Sequence, residues 1–313
     1  MKRPTRELSV AGVLALLLVV LAILAPAFFS PQPLRSLLVR EMPALVVACG
    51  MAFVILAREI DISVGSQFSI CSVVAGLLAA RGWPLPAVLL AALGTGALMG
   101  ALNGVLVAFA RLPSIVVTLA TLVTLRQGLN LLRQGEFVNL PDGVQWFGLD
   151  QTAGQWLVLG VALALLAVLA WASRHLAAGR FIYAVGSDAA AARLAGINPA
   201  AVTLGVFVFL GSLTGIAAML NLVQSPQVQP LVGSGLELKV IAAAVVGGVA
   251  ISGGRGSLWG VLAGLLLLAT IPPALTHLHI EAYWEKAIQG AIILVAAASE
   301  GLSRRRTNHG GHA

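Results

Sequence analysis

Residues 57–69 read AREIDISVGSQFS, which places Arg58, Glu59 and Asp61 within four positions of one another in a chain that is almost wholly apolar on both sides. A charge at membrane depth costs at least ~2.5 kcal/mol on insertion scales, so such groups are paired, wetted or functional. Two chemistries fit. A carboxylate can carry protons, with Glu59 or Asp61 as the carrier. Alternatively the charges mark a broken helix whose exposed backbone lines a solute path. Arg58 can offset Glu59. Asp61 is then left to helix-start N–H groups, or to Arg255 in a second stretch, VAISGGRGSLWG (249–260), as an ion pair tying two breaks together.

Catalytic and metal chemistry finds little support. The sequence has no GxxxxGK[ST], and GSGLELK (233–239) lacks the glycine before its lysine, so the chain is not expected to hydrolyse ATP. HExxH and GxSxG are absent too. His277 and His279 form an HxH without an evident third ligand and read as loop residues, so no metal is expected. Cys49 and Cys71 imply no disulfide and read as small core side chains. A membrane-embedded enzyme remains open, but no acid pair or nucleophile–base set shares a cavity.

The elements that must position these residues are transmembrane helices. Of 313 residues, 59% are hydrophobic and 10% charged, with a mean hydropathy of +0.96. A soluble domain carries about 25% charged residues. The expectation is therefore an all-α, polytopic helical bundle of about ten spans, near 10–29, 43–57, 64–80, 86–110, 112–131, 155–173, 200–223, 240–251, 258–276 and 283–299. The first apolar run exceeds a signal-peptide core of about 7–15 residues and reads as a retained span. Basic residues flank both ends of the chain, so the positive-inside rule puts both termini in the cytoplasm, with Arg58, Arg111, Arg174, Arg180, Arg193 and Arg255 on that side. Arg126 and Lys239 fall near outer span ends. The net charge of +7 is thereby explained as topology rather than nucleic-acid binding.

The fourth span contains GALMGALNG, with Gly96, Gly100 and Gly104 on one stripe suited to close helix packing. Asn103 beside them needs a partner and is a candidate to line a cavity. The second and eighth spans are short. Fifteen residues from 43 to 57 reach only ~22 Å as a helix, against a hydrocarbon core of about 30 Å. Both end in an ISxG pattern, at 62–65 and 251–254, and both are followed by AGLL, at 75–78 and 263–266. Two related helix-break-helix units follow, and such paired interruptions point to a transport site. Ser63, Ser66, Ser252 and Ser257 are placed to cap the broken ends. Both stretches can equally be read as cytoplasmic turns carrying topogenic charges.

Residues 174–199 contain SDAAAARLAGINP, where Ser187 or Asp188 can cap a short helix and Gly196 and Pro199 can end it. Its small side chains suit a knob for another protein's groove; a plain linker helix is the alternative.

AREIDISVGS, NGVLVAFARLPSIVVTLATL (103–122), GRFIYAVGSDAAAARLAGI (179–197) and GSGLELKVIAAAVVGGVAISGGRGSLWG (233–260) resemble, in order, the motifs of the sugar-type permeases of ATP-binding-cassette importers, those for ribose, xylose, galactose, rhamnose and autoinducer. The resemblance covers roughly residues 40–300. It implies a bacterial inner-membrane permease, a single domain over 1–313 with a cytoplasmic N-terminus (1–9) and basic tail (300–313). The implied partners are a second permease copy or paralogue, a cytoplasmic ATPase that binds the ATP, and a periplasmic sugar-binding protein; no cofactor belongs to the chain itself. Ser187, Asp188, Ala191, Arg193, Leu194, Gly196 and Ile197 match the segment presented to the ATPase. Most of the family carries two glycines where Arg58 and Glu59 stand, and this departure looks more like the rhamnose and autoinducer branch than ribose. The pathway or gate is then expected among Glu59, Asp61, Ser63, Ser66, Asn103, Thr118, Asn130, Ser252, Arg255 and Ser257, with Thr121, Asn221 and Gln224 as further polar candidates for a neutral sugar.

Overall fold

The computed structural model describes residues 5–24 and 26–277, with scattered positions from 281 to 294. Most of the expected tenth segment, residues 1–4, His279 and the basic tail lie outside the described residues. In chain order the helices are α1 (Thr5–Leu24), α2 (Pro31–Leu56), α3 (Val64–Ala80), α4 (Leu85–Ala108), α5 (Ser114–Arg133), α6 (Gln151–His175), α7 (Ala177–Ser187), α8 (Ala189–Leu194), α9 (Pro199–Leu222), α10 (Leu236–Val246) and α11 (Leu258–His277). Six of them (α2, α4, α5, α6, α9 and α11) are long and apolar enough to cross a membrane. The chain is a helical membrane protein with a departure from all-α: β1 (Val138–Asn139) pairs antiparallel with β2 (Gln227–Val228). This small sheet ties together two connections that the sequence presents only as loops. It defines one end of the bundle, the sheet end; α7 and α8 mark the other.

Helix α2 is the axis of the molecule. Every side chain from Glu41 to Ala57 is buried, as expected of a helix apolar all round. The expected short span at 43–57 is only its second half. Pro43 lies inside the helix rather than at its start, and the full 26 residues reach about 39 Å. Two of the charges that precede Pro43, Arg40 and Glu41, are accommodated by pairing, described below. The helix at the expected eighth segment, α10, has 11 residues, rises only about 16 Å and is not among the six long enough to cross a membrane.

The glycine stripe of α4 packs on a second stripe in α9. A β-carbon on Gly96 would overlap the Gly211 carbonyl, and one on Gly100 the Phe207 carbonyl. Reciprocally, Gly211 meets Gly96, and Gly215 meets the Ala92 carbonyl. The two backbones touch, as small-residue helix pairs allow. Gly100→Ala is accordingly expected to cost about 3 kcal/mol by overpacking, enough to lower membrane abundance several-fold. Gly94→Ala, on the same helix but with nothing within 4 Å, is its control. Equal peaks for the two tagged variants in fluorescence-detected size-exclusion chromatography would contradict this packing.

Candidate functional site

The first break, residues 57–63, leaves α2 through Arg58, whose φ is +70°. It then climbs alongside α5. The Ile60 N–H donates to Ser114 Oγ (3.3 Å), the Ile62 N–H to Thr118 Oγ1 (3.1 Å), and Ser66 Oγ to the Leu122 carbonyl (2.9 Å). From Ser114 to Thr118 a helix rises about 6 Å, which the break covers in two residues, the rise of extended backbone. Hydroxyls of α5 thus replace the helix bonds that the break gives up, the condition for irregular backbone at membrane depth.

At its top sits a closed polar cluster. Asp61 has no exposed surface. Its Oδ1 accepts from the Ser63 N–H (2.8 Å) and Ser63 Oγ (2.6 Å), and its Oδ2 from Gln67 Nε2 (3.0 Å) and Asn103 Nδ2 (3.4 Å). Asn103 Nδ2 also donates to Ser63 Oγ at 2.9 Å, and Thr121 Oγ1 donates to Asn103 Oδ1 at 2.8 Å. This one carboxyl group ties α3 and α4 to the break directly, and α5 joins the cluster through Asn103. Asn103 therefore finds its partners inside the protein; it too is fully buried.

The expected Asp61–Arg255 ion pair is not formed. Four donors already occupy the Asp61 oxygens, while Arg255 is exposed and makes no ion pair within 4 Å among the described residues. Arg58 does not offset Glu59 either: Glu59 accepts from Ser114, and Arg58 turns to the second break. There its Nε donates to the Ser252 carbonyl (2.8 Å) and its Nη2 to the Ser187 carbonyl (2.7 Å). The Gly254 N–H donates to the Leu56 carbonyl at 2.9 Å, and Tyr183 Oη to the Gly256 carbonyl at 3.1 Å. A β-carbon on Gly186 would overlap the Leu56 carbonyl. The end of α2, the end of α7 and the second break therefore meet backbone against backbone, with one guanidinium closing the junction.

The second break, 247–257, turns on Gly248, Gly253 and Gly254, all with positive φ. Of the serines expected to cap the broken ends, Ser63 makes no side-chain cap bond, Ser66 lies inside α3, Ser252 offers its carbonyl to Arg58, and the buried Ser257 Oγ has no hydrogen-bond partner among the described residues. Asp61 takes the capping role by accepting from the backbone two residues on.

The residues expected to meet the ATPase lie on and beside α8, and a further helix, α7, precedes it and ends at Ser187. Asp188 caps α8 by accepting from the Ala190 N–H (2.9 Å) and the Ala191 N–H (3.0 Å). Ala191 and Ala190, with Arg58 nearby, hold its carboxyl below the usual carboxylate range, so the cap is charged at neutral pH. Ser187, Asp188, Ala191, Arg193 and Gly196 are exposed, Leu194 is 92% exposed, and Ile197 is half-buried.

Three polar candidates stand apart. Asn130 pairs with Gln127 (3.3 Å) near the sheet end of α5, and Gln224 bonds the Leu220 carbonyl (2.8 Å). Asn221 faces a separate cavity. Sequence reasoning missed two ion pairs. Arg126 Nη2 lies 3.1 Å from Glu237 Oε1, and Lys239 Nζ lies 2.5 Å from Glu41 Oε2. Glu41 and Glu237 are both buried. An arginine inside the apolar run of α5 was a signal that an acid must face it.

A family described as branched-chain amino acid transport system / permease component matches residues 34–297. The autoinducer 2 import system permease protein LsrC of Enterobacter sp. (strain 638) is 35% identical over 302 residues, covering 96% of this chain and 88% of that protein. The protein of the same name from Escherichia coli (strain K12 / DH10B) is 33% identical over 300 residues, with the same coverages. The ribose import permease protein RbsC of Escherichia coli (strain K12) is 32% identical over 292 residues, 90% of each chain. No solved structure matches.

Proposed function

The chain belongs to this permease family, among its sugar-type ATP-binding-cassette members, and we propose that it forms the membrane path of an importer for autoinducer 2 or a rhamnose-like sugar rather than ribose. The charged Arg58-Glu59 pair favours that branch. ATP is bound and hydrolysed by a cytoplasmic partner, and the solute arrives on a periplasmic binding protein. A second permease copy or paralogue completes the path. About ten spans cross the bacterial inner membrane, with α1, the shorter α3 and α10 and the segment 283–299 joining the other six. Both termini and α8 face the cytoplasm; the small sheet faces the periplasm.

The observation that carries this reading is the junction at Arg58. A groove on the ATPase that seats α8 moves Ser187, and Ser187 shares one guanidinium with Ser252 of the second break. The same arginine belongs to the first break. Nucleotide-driven motion at α8 is thereby delivered to both interruptions at once, while the Asp61 cluster keeps the first break registered on α3, α4 and α5. Glu59, Ser252, Arg255 and Ser257 lie along this inner gate; Thr118 and Ser66 hold its upper part.

Reconstituted in proteoliposomes with its ATPase and binding protein, the chain is expected to import labelled autoinducer 2 or L-rhamnose in preference to D-ribose. Import should stop when ATP is withdrawn with the proton gradient intact. Import that persists without ATP and collapses with the gradient would make Glu59 or Asp61 a proton carrier and the chain a secondary transporter. Sidedness has its own check. An impermeant thiol reagent added outside should modify Asp142→Cys and spare Asp188→Cys, because the native Cys49 and Cys71 are buried and silent; the reverse pattern would invert the orientation.

A further inference from the structure

A cavity of about 420 Å³ opens at the sheet end, between α2, α9, α10 and α11. Its volume falls in the range of about 300–1,000 Å³ usual for small-molecule pockets. Arg40, Glu41, Asn221, Ser234 and Lys239 bring polar groups to it, and Phe68 contributes an apolar wall. Glu41 is the anchor. Its side chain is 5% exposed, with Lys239 Nζ 2.5 Å from Oε2 and Arg40 Nε 3.7 Å from Oε1. Asn221 is half-buried, and its amide makes no side-chain hydrogen bond among the described residues. A second cavity, about 660 Å³ between α2, α6, α7 and α9, is lined almost entirely by apolar side chains such as Phe53, Phe181 and Ile182, and offers a hydroxylated solute little.

We propose that the sheet-end cavity is the loading site where the permease first holds its solute, and that it takes a small, neutral, polyhydroxylated molecule. Vicinal hydroxyls both donate and accept. The cavity meets them with a carboxylate that only accepts, an ammonium and a guanidinium that only donate, and an amide that does both. A neutral solute can exchange hydrogen bonds with the Glu41–Lys239 pair without stranding either charge, whereas separating the pair outright is costly. Phe68 can lie against the C–H face of a sugar ring. The cavity also sits over the head of α10, so a solute leaving it inward passes along the half-helix that ends in the second break.

This inference rests on the importer reading, and one set of measurements separates them. The complete complex with Asn221→Cys is treated with 2-(trimethylammonium)ethyl methanethiosulfonate, alone and during turnover with autoinducer 2, L-rhamnose, D-ribose or D-gluconate. The thiol should be modified, and the neutral solute that the wild type imports should slow modification at least fivefold while gluconate does not. Glu41→Gln should raise the half-saturating concentration for uptake about tenfold in the same complex. Protection by gluconate alone would overturn the neutral class. Unslowed modification, with Glu41→Gln transporting at wild-type half-saturation, would overturn the site but leave the importer standing. A wild-type complex that imports none of these solutes on ATP would overturn the importer reading itself.

Discussion

Glu237→Ala is expected to lose about 3–5 kcal/mol of stability, the cost of leaving a buried charge without its partner. Glu237 is buried, its Oε1 is 3.1 Å from Arg126, and the Arg126 side chain is 24% exposed. Arg126 stands twelve positions after Ser114, so the pair lies about 18 Å along α5 from its start. The loss should be mutual. Arg126→Leu alone strands Glu237, while the double variant Arg126→Leu/Glu237→Ala strands nothing and should be more stable than the sum of the single losses implies, by about 1.5–3 kcal/mol. Pulse proteolysis of the detergent-solubilised variants reads all four states. Strict additivity would show that the two charges do not interact. The same logic covers Lys239 and Glu41, and together the two pairs fix the head of α10 to α5 and α2. The foot of α10 leads into the break held by Arg58.

Arg58→Ala is the second large effect, and it falls on transport rather than stability. The side chain is exposed, so folding loses little. Both carbonyls that it binds, on Ser187 and Ser252, then meet no common donor. The complex should assemble and hydrolyse ATP at close to its normal rate, while uptake per ATP falls at least tenfold. Arg58→Lys should recover only part of it, because a single ammonium does not reproduce the two-pronged fork of guanidinium. Parallel loss of ATP hydrolysis and uptake would place Arg58 in assembly instead. Normal uptake per ATP would remove it from the coupling route.

Local chemistry was legible in the sequence where the interaction is local. SDAAAARLAG carries its own cap and its own stop, and α8 follows from it. The stripe Gly96, Gly100 and Gly104 announces close packing, though not that α9 answers with Gly211 and Gly215, because that pairing joins residues more than a hundred positions apart. Helix α2 was misplaced for the same reason. Arg40-Glu41-Met42-Pro43 looks like a loop until Lys239 is brought to Glu41 by the fold. The breaks themselves were visible as charges and glycines among apolar residues. What sequence does not carry is direction. One acid in the first break and one base in the second suggested Asp61 with Arg255; the positive φ of Arg58 instead aims that side chain across the junction, and Asp61 is satisfied by amides and hydroxyls within its own half.

The central claim is that α8 and the second break move as one body. Its most direct test restores the link covalently. In the Arg58→Ala background, Ser187→Cys and Ser252→Cys are joined by a short bifunctional methanethiosulfonate, with Cys49 and Cys71 buried and unreactive. The account predicts that cross-linking recovers most of the lost uptake per ATP and leaves uptake unchanged when the same bridge is made in a chain that keeps Arg58. A bridge that arrests uptake in both backgrounds would mean that the two segments must separate during the cycle, and would contradict the coupling described here.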